Sequence, residues 1–174
     1  MNIKTLALNK PLAITLTTFT ALLAIAVTAP LIHHQIITGT IVNAVLFISA
    51  SLLGWQMAVA IGVLPSLIAL LAGTLPLPLA LMIPFIIVSN TLLVLSFYLL
   101  KNKNVFLGIL TSSFLKFIFL ASMGQILIHL ILKESTNSNL ALMMSWPQLV
   151  TALLGGLLAF ATISLHKKNA DRNL

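Results

Sequence analysis

Residues 105–132 read VFLGILTSSFLKFIFLASMGQILIHLIL and carry a single formal charge, Lys116. At about 1.5 Å per residue this stretch, as a helix, exceeds the ~30 Å of hydrocarbon in a bilayer and leaves length for tilt or projection. Its apolar residues come in solid runs, whereas a strand of a closed membrane barrel needs them to alternate with polar ones. The stretch is therefore a membrane helix, and the rest of the chain repeats the pattern. Of the 174 residues 60% are hydrophobic and 6% charged, with a mean hydropathy of +1.15, outside the composition of a soluble domain. Similar runs at about 12–28, 40–53, 56–72, 79–100 and 145–165 give six spans in one transmembrane domain, 1–174. The predicted fold class is an all-α polytopic bundle.

The breaks between runs have their own signals. Lys4 and Lys10 precede the first span, so a cleavable signal peptide with Val27 and Ala29 before the cut is one reading; Pro30 at the new terminus and five further spans favour retention. Leu31–Gly39 is too polar in its middle to continue a helix and is expected to be a loop that dips back into the protein. Gly54-Trp55-Gln56 reads as a tight turn with an interfacial aromatic. The prolines of Gly73–Pro78 break the chain again, and Pro84 is expected to kink the fourth span. Ser145-Trp-Pro-Gln148 has capping-box spacing with proline in the first turn, so it opens the sixth span.

Net charge is +7, from nine Lys and Arg against two acids. In a soluble protein this would suggest nucleic acid; here placement decides otherwise. Seven of the nine cations, Lys4, Lys10, Lys101, Lys103, Lys167, Lys168 and Arg172, fall on one side when six spans are counted. The positive-inside rule then places both termini in the cytoplasm and the chain in the cell membrane. There is no cysteine, which removes disulfides and thiolate chemistry.

Lys116 lies near the midplane, where an ionised lysine costs at least about 2.5 kcal/mol unless compensated. No Asp or Glu lies in the spans to pair with it. A wet cavity binding an anionic ligand group, a snorkelling side chain bonded to loop carbonyls, and a partner-facing side chain are all open readings. On the same helix Ser122, Gln125 and His129 share an arc of about 60°, and Lys116 points about 140° away from its centre. That stripe, with Asn43, Trp146, Gln148 and the His33-His34-Gln35 loop, belongs to the outer half and is expected to line a cavity open to the exterior. Asn90, beside Ser89 in span 4, is a further polar candidate. Small residues recur at four-residue spacing in span 1 (Ala13, Thr17, Ala21; Thr20, Ala24, Thr28) and in span 6 (Gly155, Ala159), a pattern that lets helices approach closely. Packing within the chain is the better reading for span 6, and an intermolecular face competes seriously for span 1.

Enzyme signatures are missing from the sequence: there is no phosphate-binding glycine loop followed by lysine, no acidic pair and no zincin motif. A serine–histidine pair for intramembrane proteolysis could be nominated only by fiat. Adjacent His33 and His34 cannot share a metal at helical spacing, so no metal site is expected. With no carboxylate in the spans, an ion-coupled carrier working alone is poorly supported.

Six spans, both ends inside and a small-residue ridge on span 1 resemble the substrate-binding S component of an energy-coupling factor (ECF) vitamin transporter. Thr38-Gly-Thr-Ile-Val-Asn43, Met82-Ile-Pro-Phe-Ile-Ile-Val-Ser-Asn90 and Met144-Ser-Trp-Pro-Gln-Leu149 are similar to segments of small S components. The resemblance implies capture of a vitamin or precursor in an outward pocket capped by the span 1–2 loop. It further implies docking of a coupling transmembrane subunit on Ala13, Thr17, Ala21 and Ala24, although the family's alanine spacing is only loosely reproduced. Two ATPase partners would then use ATP, and this chain would hold no cofactor. A non-transporting assembly subunit of a membrane complex is the alternative.

Overall fold

A computed structural model describes residues 10–71, 77–131 and 144–172. Among them are six α-helices: α1 Lys10–Thr28, α2 Gln35–Leu52, α3 Trp55–Leu71, α4 Leu77–Leu100, α5 Val105–Ile131 and α6 Trp146–Arg172, with a 3₁₀ turn at Ala29–Ile32. Five carry apolar stretches long enough to cross a membrane, namely Leu12–Ile32, Gln35–Leu52, Ala80–Leu100, Val105–Leu127 and Trp146–Leu165. The exception is α3, whose apolar stretch is the shorter Trp55–Ile68; it also carries Pro65 within the helix, which withholds one backbone donor.

The surface confirms lipid as the solvent. Leu12, Ile14, Phe106, Phe114, Ile118, Leu157 and Leu158 are exposed, while Asn43, Ser49, Asn90, Ser112, Ser113, Lys116 and Thr151 are buried. The core is apolar as well, with Leu46, Phe47 and Phe97 fully buried, so an outward face this apolar suits hydrocarbon rather than water. The chain is a polytopic α-helical membrane bundle.

Three boundaries differ from the sequence expectation. Leu31–Gly39 is not a re-entrant loop: the 3₁₀ turn runs to Ile32, His33 takes the left-handed conformation (φ 55°), and α2 begins at Gln35, five residues earlier than expected. Thr38 ties the two pieces by donating its hydroxyl to Ala29 O at 3.0 Å. Gly39 does not break the helix; a Cβ there would sit 2.9 Å from Thr151 Cγ2, so glycine lets α2 approach α6. At the other end, α6 continues past Leu165 to Arg172, because Lys and Arg favour a helix C-terminus and this stretch no longer has to be apolar. The Gly73–Pro78 break and the 133–139 loop lie largely or wholly outside the described residues.

The remaining turns follow local chemistry. Gly54 supplies the positive φ of 90° that turns α2 into α3. Asn104 caps α5, its Oδ1 accepting from Leu107 N at 3.0 Å. Gln148 N donates to Ser145 O at 3.0 Å, where α6 opens.

The α2–α6 pair is the most extensive helix contact, and Gly155 explains it. A Cβ there would lie 2.7 Å from Ala44 N and 2.8 Å from both Asn43 Cβ and Thr40 O, so the two backbones touch. The core continues through Phe47 against Phe97, edge to face with centroids 4.8 Å apart. A smaller cluster of Met82, Leu120, Leu127 and Met144 fills the space between α4, α5 and the start of α6. By contrast α1 is peripheral, burying Leu22, Ala26 and, just beyond it, Ala29.

Candidate functional site

Polar side chains from four helices meet at one buried lysine. Lys116, 4% exposed, projects from α5 into the bundle. Its ammonium donates to Asn43 Oδ1 of α2 at 2.6 Å and to Asn90 Oδ1 of α4 at 2.7 Å. Each amide then passes a donor onward. Asn43 Nδ2 donates to Thr151 Oγ1 of α6 at 3.3 Å, and Asn90 Nδ2 to Gly62 O of α3 at 3.1 Å. Thr151 Oγ1 in turn donates to Gln148 O at 3.1 Å. Position 62 is tight, since a Cβ there would lie 3.3 Å from Asn90 Cβ and 3.2 Å from Leu46 Cδ2. The chain of bonds thus ties α2, α3, α4, α5 and α6 together.

The node is incomplete in two respects. An ammonium has three donors, and the two amides take two of them. Both acceptors are neutral, so nothing bonded to Lys116 balances its charge. One turn before Lys116 on the same face of α5, Ser113 is 0% exposed and its Oγ has no hydrogen-bond partner. Thr40 Oγ1, one turn before Asn43 on α2, is likewise buried without a partner. Neighbouring Ser112, in contrast, is satisfied by Gly108 O at 2.6 Å.

The sequence-derived candidates separate into three groups. Asn43, Asn90 and Lys116 come together in the node, and Gln148 joins through its carbonyl. Lys116 neither snorkels nor bonds to loop carbonyls: interhelical amides hold it. Asn43, expected among the outer cluster, belongs with the lysine instead. Gln125 and Trp146 lie exposed, as does Ser122, and are not brought into the node. His33 and His34 are exposed at the turn between α1 and α2, a ring nitrogen of His33 lying 2.7 Å from Leu31 O, and Gln35 is half-buried at the start of α2. The side chain of His129 lies outside the described residues. On α1, Thr17, Ala21 and Ala24 face outward and Ala13 is half-buried. With Leu16 and Thr20, the three outward residues line an open groove of about 450 Å³.

Sequence reasoning missed Thr151, Ser113, Thr40 and Gly62. A usable signal for Thr151 was present: it lies one helical turn from Gln148 in the sixth span. A second missed contact is Lys101, which donates to Ala50 O at 2.7 Å and Ser51 O at 3.3 Å at the end of α2 and stacks 4.5 Å from the Tyr98 ring centre. Burial pushes its ammonium below the ordinary lysine range, while the helix-end carbonyls and the ring face favour the charge.

No protein family, curated protein or solved structure matches this chain. What the site can do rests on its own atoms. A fixed cation, neutral amides and unused hydroxyls can orient and bind a polar group; they offer no acid–base pair for catalysis.

Proposed function

We propose that this protein is the ligand-capturing membrane subunit of an ECF-type importer. It binds a vitamin or vitamin precursor from outside and has no catalytic activity of its own. The observation that carries the reading is the lysine node. The bundle buries a cation among amides, with no acid among the described residues bonded to it and an unpartnered Ser113 hydroxyl one turn away, an expensive arrangement for a purely structural core. The outward ridge of Thr17, Ala21 and Ala24 on peripheral α1 supports docking of a transmembrane coupling subunit, with two ATPases supplying the energy. The clustering of cations at one end supports cytoplasmic termini in the cell membrane.

A second reading has one observation in its favour. Because Lys116 bonds to Asn43 and Asn90 within the chain, the node also suits an assembly subunit whose core is simply locked. Affinity purification from native membranes separates the two. The capture reading expects a coupling subunit and two ATPases to co-purify, and a small molecule to appear in the mass spectrum after release. Stoichiometric recovery with other membrane proteins, no ATPase and no released molecule would reject it.

A further inference from the structure

From the unbalanced charge at the node we infer that the captured molecule is a monoanion, held by a carboxylate that accepts the free N–H of Lys116 and the O–H of Ser113; this rests on the capture reading above. Three observations converge on it. Among the described residues the Lys116 ammonium donates to two neutral amides, which leaves its third N–H for a ligand. Ser113, fully buried on the same face of α5, has a hydroxyl with no partner. The sequence holds only two acids, Glu134 and Asp171, neither within a span, so the chain brings no intramembrane carboxylate to this lysine.

Charge count sets the class. One buried cation balances one negative charge. A phosphate ester carries about −1.5 to −2 at neutral pH and would leave excess charge in a low-dielectric interior. A neutral ligand would leave the lysine uncompensated and the Ser113 hydroxyl only weakly engaged. A carboxylate removes both defects, and its bonds to charged and neutral donors are of the strong, short kind.

The test pairs each acid with a neutral partner that shares its body: nicotinate with nicotinamide, biotin with biotinamide, and pantothenate with the corresponding alcohol. Binding is measured on the intact protein in lipid nanodiscs by equilibrium dialysis. One acid is expected to bind about tenfold or more tightly than its neutral partner. Lys116→Met should abolish that preference. Because Lys116→Met also disturbs the bundle, Ser113→Ala provides an independent check: it removes an unsatisfied hydroxyl, so the fold should stay at least as stable while the acid binds several-fold more weakly. Equal affinity for both members of a pair, or a preference that survives in both variants, overturns the monoanion inference and leaves capture standing. Binding by no member of any pair counts against capture itself, and the inference falls with it.

Discussion

Replacing Asn90 with leucine keeps the shape of the side chain and removes one of the two acceptors that hold the Lys116 ammonium. The variant leaves Lys116 with Asn43 Oδ1 at 2.6 Å and deletes the bond at 2.7 Å, together with the 3.1 Å link from Asn90 to Gly62 O. Neutral interhelical hydrogen bonds in membranes couple by only about 0.6 kcal/mol on average. The bond lost here serves a charge, which raises its worth to about 1.5–3 kcal/mol. At 4% exposure on both side chains, water cannot take the place of the lost acceptor. Asn90→Leu should therefore destabilise the bundle by about 2–3 kcal/mol. Lys116→Met strands two amide oxygens and should cost about as much or slightly more. In the double variant only Asn43 Oδ1 is left without its donor, so the combined loss should fall short of the sum by about 1.5–3 kcal/mol. Reversible unfolding by steric trapping in bicelles measures all four corners of this cycle. A coupling at or below the roughly 0.6 kcal/mol of neutral pairs would refute the claim that Asn90 holds an ammonium.

Three other outcomes are expected. Gly155→Ala places a methyl against Ala44 N, Asn43 Cβ and Thr40 O, none of which can swing aside; thermal unfolding in detergent should show a loss of about 1–3 kcal/mol, and an unchanged midpoint would mean that α2 and α6 are not in backbone contact. For Lys101 the folded chain releases its proton at lower pH than the ordinary lysine value of 10.5. Below the folded value its contribution is constant, and stability should rise as pH climbs from there toward 10.5, because the unfolded chain then holds the extra proton. Unfolding curves of the parent and Lys101→Met between pH 8 and about 10.5 should show a larger rise in the parent, and equal rises would mean that folding does not shift Lys101. On α1, Ala21→Trp and Ala24→Trp fill the outward groove without touching the buried Leu22 and Ala26 face; the bundle should keep its unfolding midpoint while pull-down of the coupling partner falls sharply, and undiminished recovery would move the docking face elsewhere.

How much of this protein could be read from its sequence differs between fold and site. Helix class, the helix runs and the uneven distribution of cations follow from hydropathy and charge, which act residue by residue; the expected third span is the shorter α3, outside the five long enough to cross. The Gly54 turn was legible for the same reason, since its chemistry is local. The start of α2 was misjudged because His33-His34-Gln35 looks too polar for a helix. The left-handed turn at His33 leaves His33 and His34 exposed, where polarity costs little, so the helix can begin at Gln35.

The site was legible only as an inventory. Lys116, Asn43 and Asn90 stood out because an apolar helix has few reasons to carry them. Helical angles also separated the lysine from Ser122 and Gln125, and α5 does turn one inward and the others out. Which partner Lys116 finds, however, depends on residues 73 and 26 positions away meeting across three helices. That meeting requires the backbone approach at Gly155, Gly62 and Gly39, whose small volume has meaning only once a second helix lies against it. The sequence by itself determined that lipid is the solvent and that a lone cation must be buried. Tertiary packing decided that neutral amides hold it, and that the Ser113 hydroxyl one turn away on α5 is buried without a partner.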